Sequence, residues 1–476
     1  MKRFFPVIIS LILICSMLFT GCNSNKNTEV SAKDALSVNL ELLSVSLAED
    51  GVLDKQYTFK ELKDIIIKWA EENGIEVESD SENYLVLAKA AAGEIKNVES
   101  FTFHTAIDFR PAKALNNSDN EVLSAAASVM TAIGSVQNHG PVRAIFTNVK
   151  NGHPVGAADL DPSYLDSDNF IDVTYNEDTV LYNTFAASSN MVAVKNLNIT
   201  SPTYTKAYKI SFNGITGQSA YTHRGAYPNP IKTIGDLLAS CQTSTVLFEL
   251  ASFEGGIYSD NIPGKVTATI VLHENDVESF TKKFNTSYEK VEKMYEDVDN
   301  ENISFKYTMT PVNLPSKVIS KEDTENIVSL MYTMINGTYL RDEKDETVAV
   351  SNIGKITTKN GDFQLTINAK SLDDETMTEL EGVVKTICGL SDITYKKTGS
   401  SRVWTNAPET PLVANLADTL STDCSSVLEM KHVAEFTATD KNLNLVSWGT
   451  NENDAAKDLE KIFEYMAIAG AEQLTE

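Results

Sequence analysis

The feature that most constrains the fold is the alternation of strand-like and helix-like segments in the first part of the chain. Tyr84 to Ala91, Val98 to Phe109 and Val142 to Thr147 are apolar runs typical of buried strands. A helix of small residues is predicted from Leu123 to Ile133, and Thr58-Phe59-Lys60-Glu61 has the pattern of a capping box. Strands that alternate with helices predict an α/β layer with a mostly parallel sheet.

After about Pro202 the pattern changes. Three segments alternate as half-buried strands: Lys209 to Gly214, Gly264 to Leu272 and Ile303 to Thr310. An amphipathic helix, Asn275 to Tyr295, lies among them. The strand Leu443 to Trp448 and the helix Ala455 to Ala469 then return to the first pattern. We therefore predict one α/β domain formed by residues 35–203 and 401–476, with an α+β domain inserted at 204–400.

Length and charge limit the function. At 476 residues the chain is too long for one ordinary domain, which agrees with the insertion. It has 66 acidic and 40 basic residues and a formal net charge of −26. Such a field repels nucleic acid and anionic lipid, so we expect no nucleic-acid partner.

The N-terminus predicts a lipid anchor. Lys2-Arg3 and the apolar run from Phe4 to Phe19 have the form of a signal peptide and are too short for a stable membrane span. The segment Leu18 to Cys22 resembles a bacterial lipobox. We predict a signal peptide at 1–22, lipidation of Cys22, and a polar tether at 23–34. The mature protein is then expected on the outer face of the cytoplasmic membrane.

Several chemistries have no motif in this chain. Cys241, Cys388 and Cys424 are too widely spaced for a zinc knuckle or a disulfide framework, although one pair could still form a disulfide. There is no Gly-x-Ser-x-Gly elbow, phosphate-binding loop or Cys-x-x-Cys pair. Serine hydrolase, nucleotide-binding and redox roles are therefore not indicated.

The strand Phe101 to Phe109 carries His104, on which the chemical interpretation depends. Alternation along the strand places His104, Ala106 and Asp108 on one face. A lone histidine in a buried strand is most often a hydrogen-bonded core residue. The alternative is that His104 is a metal ligand. The order of three later segments of the chain indicates this alternative.

Three later segments occur in an order that resembles a known family. They are Gly214 to Pro230, the pair Lys370-Ser371 after a strand, and Leu443 to Thr450. With the His104 strand, this order resembles the aminoacylhistidine dipeptidase (carnosinase-like) branch of the co-catalytic zinc metallopeptidases. The resemblance implies a zinc-peptidase-like α/β domain with an inserted lid, two zinc ions, a glutamate as general base, and a possible homodimer through the lid.

The resemblance also implies roles for individual residues. Gln218 and Asn229 occupy the histidine and asparagine positions of the family's lid motif, and Lys370 occupies that of the arginine that holds the substrate carboxylate. Lysine keeps that charge but loses the bidentate fork. His104 matches the first zinc ligand, and Asp119 is the candidate for the bridging carboxylate.

Most metal positions are changed. The replacements are Ala106 for an aspartate, Lys150 and Asn151 for the two glutamates, Asp172-Val173-Thr174 for Asn-Leu-Asp, and Ala456 for the last histidine. A catalytic zinc needs about three protein ligands and an open position, and hydrolysis needs a base. Lys150 either replaces the charge of a metal by pairing with Asp119 or is a solvated loop residue.

The remaining histidines are expected at a strand end and in turns. His432-Val433-Ala434-Glu435 resembles the family's His-Ala-Gly-Leu-Glu but is one residue short, and we expect the end of a strand there. His139 and His153 lie in glycine-containing turns and are expected to face water.

Two functions remain open. The favoured one is a catalytically silent, surface-anchored homologue that binds a peptide or a small amino-acid-like ligand and has no cofactor. The alternative is an active zinc dipeptidase or amidohydrolase with a rearranged site built from His104, Asp108, Asp119 and Glu177. They differ in whether these side chains converge to within about 2 Å of a common point, as zinc ligands must.

Overall fold

The computed structural model describes most of the chain after the N-terminal segment. The described residues are 31–48, 57–93, 97–109, 118–150, 153–214, 220–221, 227–244, 246–296, 305–428, 431–439 and 442–470. The predicted signal peptide, Cys22, Asn151 and Gln218 lie outside these ranges. Within them, no helix combines the length and the apolar character needed to cross a membrane.

Twenty strands and eleven α-helices are described. The strands are β1 (Glu76–Asp80), β2 (Tyr84–Lys89), β3 (Phe101–Ile107), β4 (Val142–Asn148), β5 (Asn169–Tyr175), β6 (Val180–Phe185), β7 (Ala187–Asn196), β8 (Ile199–Thr200), β9 (Lys206–Asn213), β10 (Phe248–Gly255), β11 (Lys265–Leu272), β12 (Lys306–Pro311), β13 (Val318–Ile319), β14 (Gly337–Arg341), β15 (Thr347–Thr357), β16 (Asp362–Ser371), β17 (Thr394–Ser401), β18 (Trp404–Thr405), β19 (Cys424–Val427) and β20 (Leu445–Thr450). The helices are α1 (Ala32–Ala48), α2 (Phe59–Glu72), α3 (Ser118–Ser135), α4 (Val155–Asp159), α5 (Pro230–Thr243), α6 (Val277–Glu296), α7 (Lys321–Thr333), α8 (Asp374–Leu390), α9 (Pro411–Leu420), α10 (Lys431–Thr439) and α11 (Ala455–Met466).

The first sheet is parallel only at its centre. Its order is β1-β2-β4-β3-β5-β20-β6-β18, with β19 beside β6. The central strands β4, β3, β5 and β20 are mutually parallel, whereas β1, β2 and β18 pair antiparallel. The expected α/β class is confirmed as a mixed sheet. The prediction of a mostly parallel sheet missed the antiparallel edges, because a short hairpin from β1 to β2 extends one side.

Helices cover both faces of this sheet. One face packs under α1, α2, α3, α9 and α11 around Phe101, Phe103 and Trp448. The other face packs under α4 and α10 around Ile145, Phe170 and Phe436. The capping box predicted at Thr58 is present, since Thr58 and Glu61 bond each other's backbone at the start of α2. The even-numbered residues of β3, including His104, point to the face beneath α10.

The second sheet is antiparallel and begins earlier than predicted. Its order is β12-β9-β11-β10-β15-β16-β7-β17, with β14 beside β15. Strand β7 pairs with β16 along its whole length, from Ala187 opposite Ser371 to Asn196 opposite Asp362. The second sheet therefore begins at β7, before the boundary predicted at residue 204. The polar residues at the start of β7 interrupt its apolar pattern, so the strand was not recognised. The chain returns to the first sheet between β17 and β18, next to the predicted boundary at residue 400.

A small cluster joins the two sheets. Tyr221, Val350 and Leu428 are buried together, with Ala186 and Leu372 packed against them. We call these five residues the junction cluster. The N–H of Ala186, between β6 and β7, donates to the carbonyl of Val427 at 3.1 Å and so extends the pairing of β6 with β19 up to this cluster. The two sheets are thus in contact close to the points where the chain crosses between them.

Candidate functional site

Strand register brings three polar side chains into one row inside the first sheet. His104 on β3 lies opposite Asp172 on β5, and Asp172 lies opposite Ser447 on β20. Neighbouring positions of parallel strands place their side chains on the same face, so the row follows from the pairing. His104, Asp172 and Ser447 are all buried on the face beneath α10.

His104 has both ring nitrogens engaged. Nδ1 lies 2.6 Å from Asp172 Oδ1, and Nε2 lies 2.8 Å from Thr147 Oγ1. Burial lowers the pKa of His104, although the hydrogen bond and charge of Asp172 oppose that shift. A neutral ring then donates from Nδ1 to the carboxylate and accepts the Thr147 hydroxyl at Nε2. The preferred interpretation of His104 as a hydrogen-bonded core residue agrees with these contacts.

Asp172 is the centre of the cluster. Burial alone would raise its pKa, but the electrostatic interaction with His432 and the hydrogen bonds from His104 and His432 hold the pKa well below its usual range. Its Oδ1 also lies 3.0 Å from His432 Nε2, and its Oδ2 accepts the Ser447 hydroxyl at 2.9 Å. An ionised carboxylate with no exposed surface is retained here because three donors surround it.

His432 completes the cluster from α10. The expectation of a strand end at this position was wrong, since His432 lies in the first turn of a helix that packs over the sheet. Its side chain is 14% exposed, whereas those of His104 and Asp172 have no exposure. Phe436, one turn further along α10, packs edge-on against the His104 ring with centroids 4.8 Å apart. Local spacing gave no signal for this partnership, which depends on the docking of α10.

The cluster has the composition of a small metal site. One ligand atom each from His104, Asp172 and His432 lie within 4.8 Å of one another, and no other such group occurs among the described residues. The family's two-zinc centre does not fit these residues. The positions that the resemblance assigns to carboxylates at that centre include Ala106, Lys150 and Thr174, none of which carries a carboxylate, and His104 is buried within the sheet.

The residues expected at the zinc centre do not gather around His104. Lys150 is exposed after β4 and forms a backbone bridge with His153, so it is not enclosed with His104. Asp119 lies at the start of α3, and its side chain is outside the described structure. Within the described residues, Asp108 and Glu177 form no three-ligand group with His104. Glu177 instead lies close enough to Glu121 to raise the pKa of that carboxyl, whose burial is the larger cause.

The candidate ligand residues of the second sheet have structural partners. Asn229 caps α5 by accepting from the N–H groups of Ile231 and Lys232, and it donates to Asn336 and to the carbonyl of Ile353. Lys370 is buried on β16, with its ammonium 5.9 Å from the centre of the Tyr221 ring. Gln218 lies outside the described residues.

Other sequence expectations can be placed as well. Cys241, Cys388 and Cys424 are all free thiols. Burial raises the pKa of Cys241 to about 12 and that of Cys388 to about 11, which leaves both as unreactive thiols. His153 is exposed as expected, but His139 is 2% exposed and bonds the Gly140 carbonyl. The prediction for His139 was wrong because its turn forms a backbone bridge with Ala92 and packs against the backbone of Val98 and Glu99.

Known proteins resemble this chain over most of its length. The cytosol non-specific dipeptidase of Escherichia coli is 20% identical over 396 residues, which cover 76% of this chain and 80% of that protein. The crystal structure of an aminoacylhistidine dipeptidase from Vibrio alginolyticus matches with a TM-score of 0.63 and 15% identity, over 94% of this chain and 99% of the other. No protein-family model matches the sequence. The predicted resemblance to dipeptidases is confirmed, and the shared structure establishes the fold.

Proposed function

We propose that this protein is a surface-anchored lipoprotein with a dipeptidase-like fold that binds a peptide or an amino-acid-like ligand without hydrolysing it. The ligand site is the cleft between the first sheet and the second sheet, which serves as a lid. The proposal has three parts: a silent centre, a retained cleft and a lipid anchor.

The burial of His104 supports the proposal that the centre is catalytically silent. A hydrolytic zinc needs an open coordination position that substrate and water can reach. His104 and Asp172 have no exposed surface, and Phe436 and Phe170 pack against the His104 ring. No substrate carbonyl can reach these atoms in this arrangement. The residue that the resemblance aligns with the first zinc ligand is therefore used in packing.

A retained cleft is supported by the junction between the sheets. Among the described residues, the junction cluster provides the apolar contact between the sheets near Tyr221, and small contacts of this kind permit relative motion. Opening there would uncover Lys370, which lies beneath the Tyr221 ring and could pair with a ligand carboxylate. The proposal therefore assigns ligand binding to Lys370 in an opened form.

Ligand binding and hydrolysis can be tested together on the mature protein. A panel of dipeptides and amino acids is screened by thermal shift, and the same mixtures with added zinc are analysed for cleavage by mass spectrometry. We expect stabilisation by one class of ligand and no cleavage. Lys370→Met should lose the stabilisation, whereas the matched change Lys355→Met at an exposed position on β15 should not. Cleavage would contradict a silent centre, and no shift with any ligand would contradict binding.

The anchor is tested by its cysteine. Metabolic labelling with a fatty acid should mark the protein, and Cys22→Ser should abolish the label and release the chain from the membrane fraction. A Cys22→Ser protein that remains in the membrane after a high-salt wash would contradict lipid anchoring.

The second candidate function is metal-dependent peptide hydrolysis. One observation favours it, namely that His104, Asp172 and His432 bring three ligand atoms together. It requires α10 to move so that substrate reaches the cluster. Zinc-dependent cleavage that is lost in His432→Gln would support this candidate over the binding protein.

A further inference from the structure

We propose that His104 Nδ1, Asp172 Oδ1 and His432 Nε2 form a site for a single, buried, structural transition-metal ion of the zinc class. This site is not the two-zinc centre of the similar dipeptidases, because two of its three ligands come from positions that the resemblance does not assign to metal. The inference stands apart from the proposed function, since a buried ion can hold the fold of a binding protein.

The ligand set suits such an ion. Two imidazoles and one carboxylate are donors that zinc and its neighbours accept, and one bound water would complete the usual four-coordinate geometry. Asp172 Oδ1 lies 2.6 Å from His104 Nδ1 and 3.0 Å from His432 Nε2. Ligands placed about 2.0 to 2.2 Å from one zinc ion are roughly 3.3 Å apart in a tetrahedron. The carboxylate oxygen would therefore have to move away from the two imidazole nitrogens by about 0.7 and 0.3 Å, and all three ligand atoms already lie within 4.8 Å of one another.

Two hydroxyl groups complete the surroundings. Thr147 Oγ1 lies 2.8 Å from His104 Nε2, the ring nitrogen that would not bind the metal. Ser447 Oγ donates to Asp172 Oδ2, the carboxylate oxygen that would not bind the metal. Groups of this kind orient ligands in metal sites and fix the histidine tautomer. With Nε2–H donating to Thr147, the lone pair of His104 Nδ1 faces Asp172 and His432.

Charge and burial favour an ion as well. Among the described residues, Asp172 forms no ion pair with a lysine or an arginine, and its polar side-chain partners are the two histidines and Ser447. Buried charges in proteins are usually paired with an opposite charge or bound to a metal. A divalent cation would supply a positive charge next to Asp172 Oδ1, the atom that both imidazoles already contact.

The ion would fasten α10 to the sheet. His432 is the α10 member of the cluster, whereas His104 and Asp172 belong to neighbouring central strands. Leu428, which precedes α10, belongs to the junction cluster with Tyr221 and Val350. Metal removal is therefore expected to loosen α10 and, with it, the contact between the two sheets.

Metal uptake by the mature protein tests the inference. Chelator-treated protein is titrated with Zn²⁺ by calorimetry and with Co²⁺ by visible absorption. We expect one equivalent of either ion, a cobalt spectrum typical of nitrogen and oxygen ligands, and a higher melting temperature with metal. His432→Gln should lose the uptake, whereas His153→Gln, which changes an exposed histidine, should keep it.

A smaller substitution tests the site if the His432→Gln protein does not fold. Ser447→Ala removes only the hydroxyl beside Asp172 and should weaken zinc binding by about tenfold or more. Folded wild-type protein that takes up no metal, or uptake that both variants retain, would falsify the site. Imidazole N–H signals of His104 Nδ1 and His432 Nε2 that persist in excess zinc would also overturn it, because a hydrogen-bonded clamp would then occupy the ligand positions.

These outcomes are distinct from those of the proposed function. Zinc uptake without peptide cleavage supports both ideas, and cleavage with uptake supports the site while contradicting the silent centre. Absence of uptake removes the metal site and leaves ligand binding in the cleft unaffected.

Discussion

The side chain of Asn229 links α5 to its surroundings. It caps α5 and also donates hydrogen bonds to Asn336 and to the backbone of β15. A buried amide with this many bonds stabilises the fold whether or not it also touches a ligand. Its assigned role in ligand binding and its observed role in folding can be separated experimentally.

Asn229→Ala should destabilise the protein by about 2 to 3 kcal/mol, since it removes a helix cap and leaves buried groups unpaired. Urea unfolding monitored by circular dichroism measures the change. Asn453→Ala, at an exposed position, is the control and should change little. A stable Asn229→Ala protein with weakened ligand binding would instead show that the asparagine serves the ligand.

Glu121 predicts a pH dependence of stability. Its burial and the charge of Glu177 raise its pKa, so the folded state binds this proton more tightly than the unfolded chain does. The stabilisation is fully present below the unfolded pKa and is lost as pH rises through the folded pKa. At neutral pH the ionised Glu121 therefore opposes folding.

Glu121→Gln should stabilise the protein at pH 7 by about 0.5 kcal/mol, a small value because the group is partly exposed to solvent. The difference should disappear near pH 4, where the wild-type carboxyl is protonated. Melting curves at both pH values test this, with the exposed Glu460→Gln as the control. An equal effect of Glu121→Gln at both pH values would contradict the electrostatic origin.

The sequence could identify His104 but not the residues that bind it. Apolar alternation placed His104 in a buried strand, and strand periodicity is a local property. Asp172 was matched to the asparagine of the family's Asn-Leu-Asp motif without a role of its own, and His432 was assigned to the wrong type of element. Their meeting depends on strand order and on the docking of α10, which are set by contacts far apart in the sequence. The sequence therefore predicts the position of His104 but none of its hydrogen-bond partners.

At the scale of elements, strong periodic patterns were located well and weak ones were missed. The strands β4 and β11 and the helices α3 and α6 lie within a few residues of their predicted bounds. Strand β7 was missed because Ser188, Ser189 and Asn190 interrupt its apolar pattern, although β16 and β17 pair on both sides of it. Pairing with neighbours stabilises a strand whose own residues are poor strand formers.

The contact of α4 with β4 gives a prediction for a single glycine. A Cβ on Gly156 would lie 2.2 Å from the Asn83 carbonyl and 2.4 Å from the Asn148 nitrogen, both backbone atoms. Gly156→Ala should therefore force α4 away from the sheet and cost about 2 to 4 kcal/mol. Gly382→Ala in α8 is the matched control, because its Cβ meets nothing within 4 Å, and it should stabilise by about 0.5 to 1 kcal/mol. Equal unfolding midpoints for the two variants would contradict the packing at Gly156.

At the scale of the whole molecule, the described residues form separate cores for the two sheets, and the junction cluster lies between them. The core of the second sheet draws its buried residues from between Ala187 and Ile393. The buried residues of the two clusters around the first sheet all lie outside that range. The mixed cluster is the junction cluster. The change in pattern after Pro202 indicates the strands of the antiparallel sheet, whereas β7, which also belongs to that sheet, has no strong pattern of its own.

The separate core predicts that residues 187–401 fold without the rest of the chain. A domain with its own buried core and paired strands unfolds cooperatively, so this fragment should show one thermal transition and dispersed amide resonances. A fragment of residues 204–401, which begins at the boundary predicted from sequence, is the matched control. It lacks β7 and leaves β16 and β17 without their common partner, and we expect it to aggregate or to melt without a clear transition because unpaired strand edges associate. If the two fragments behave alike, β7 is not essential to the second sheet. If neither folds, the junction cluster and the first sheet contribute more to its stability than the division of the cores indicates.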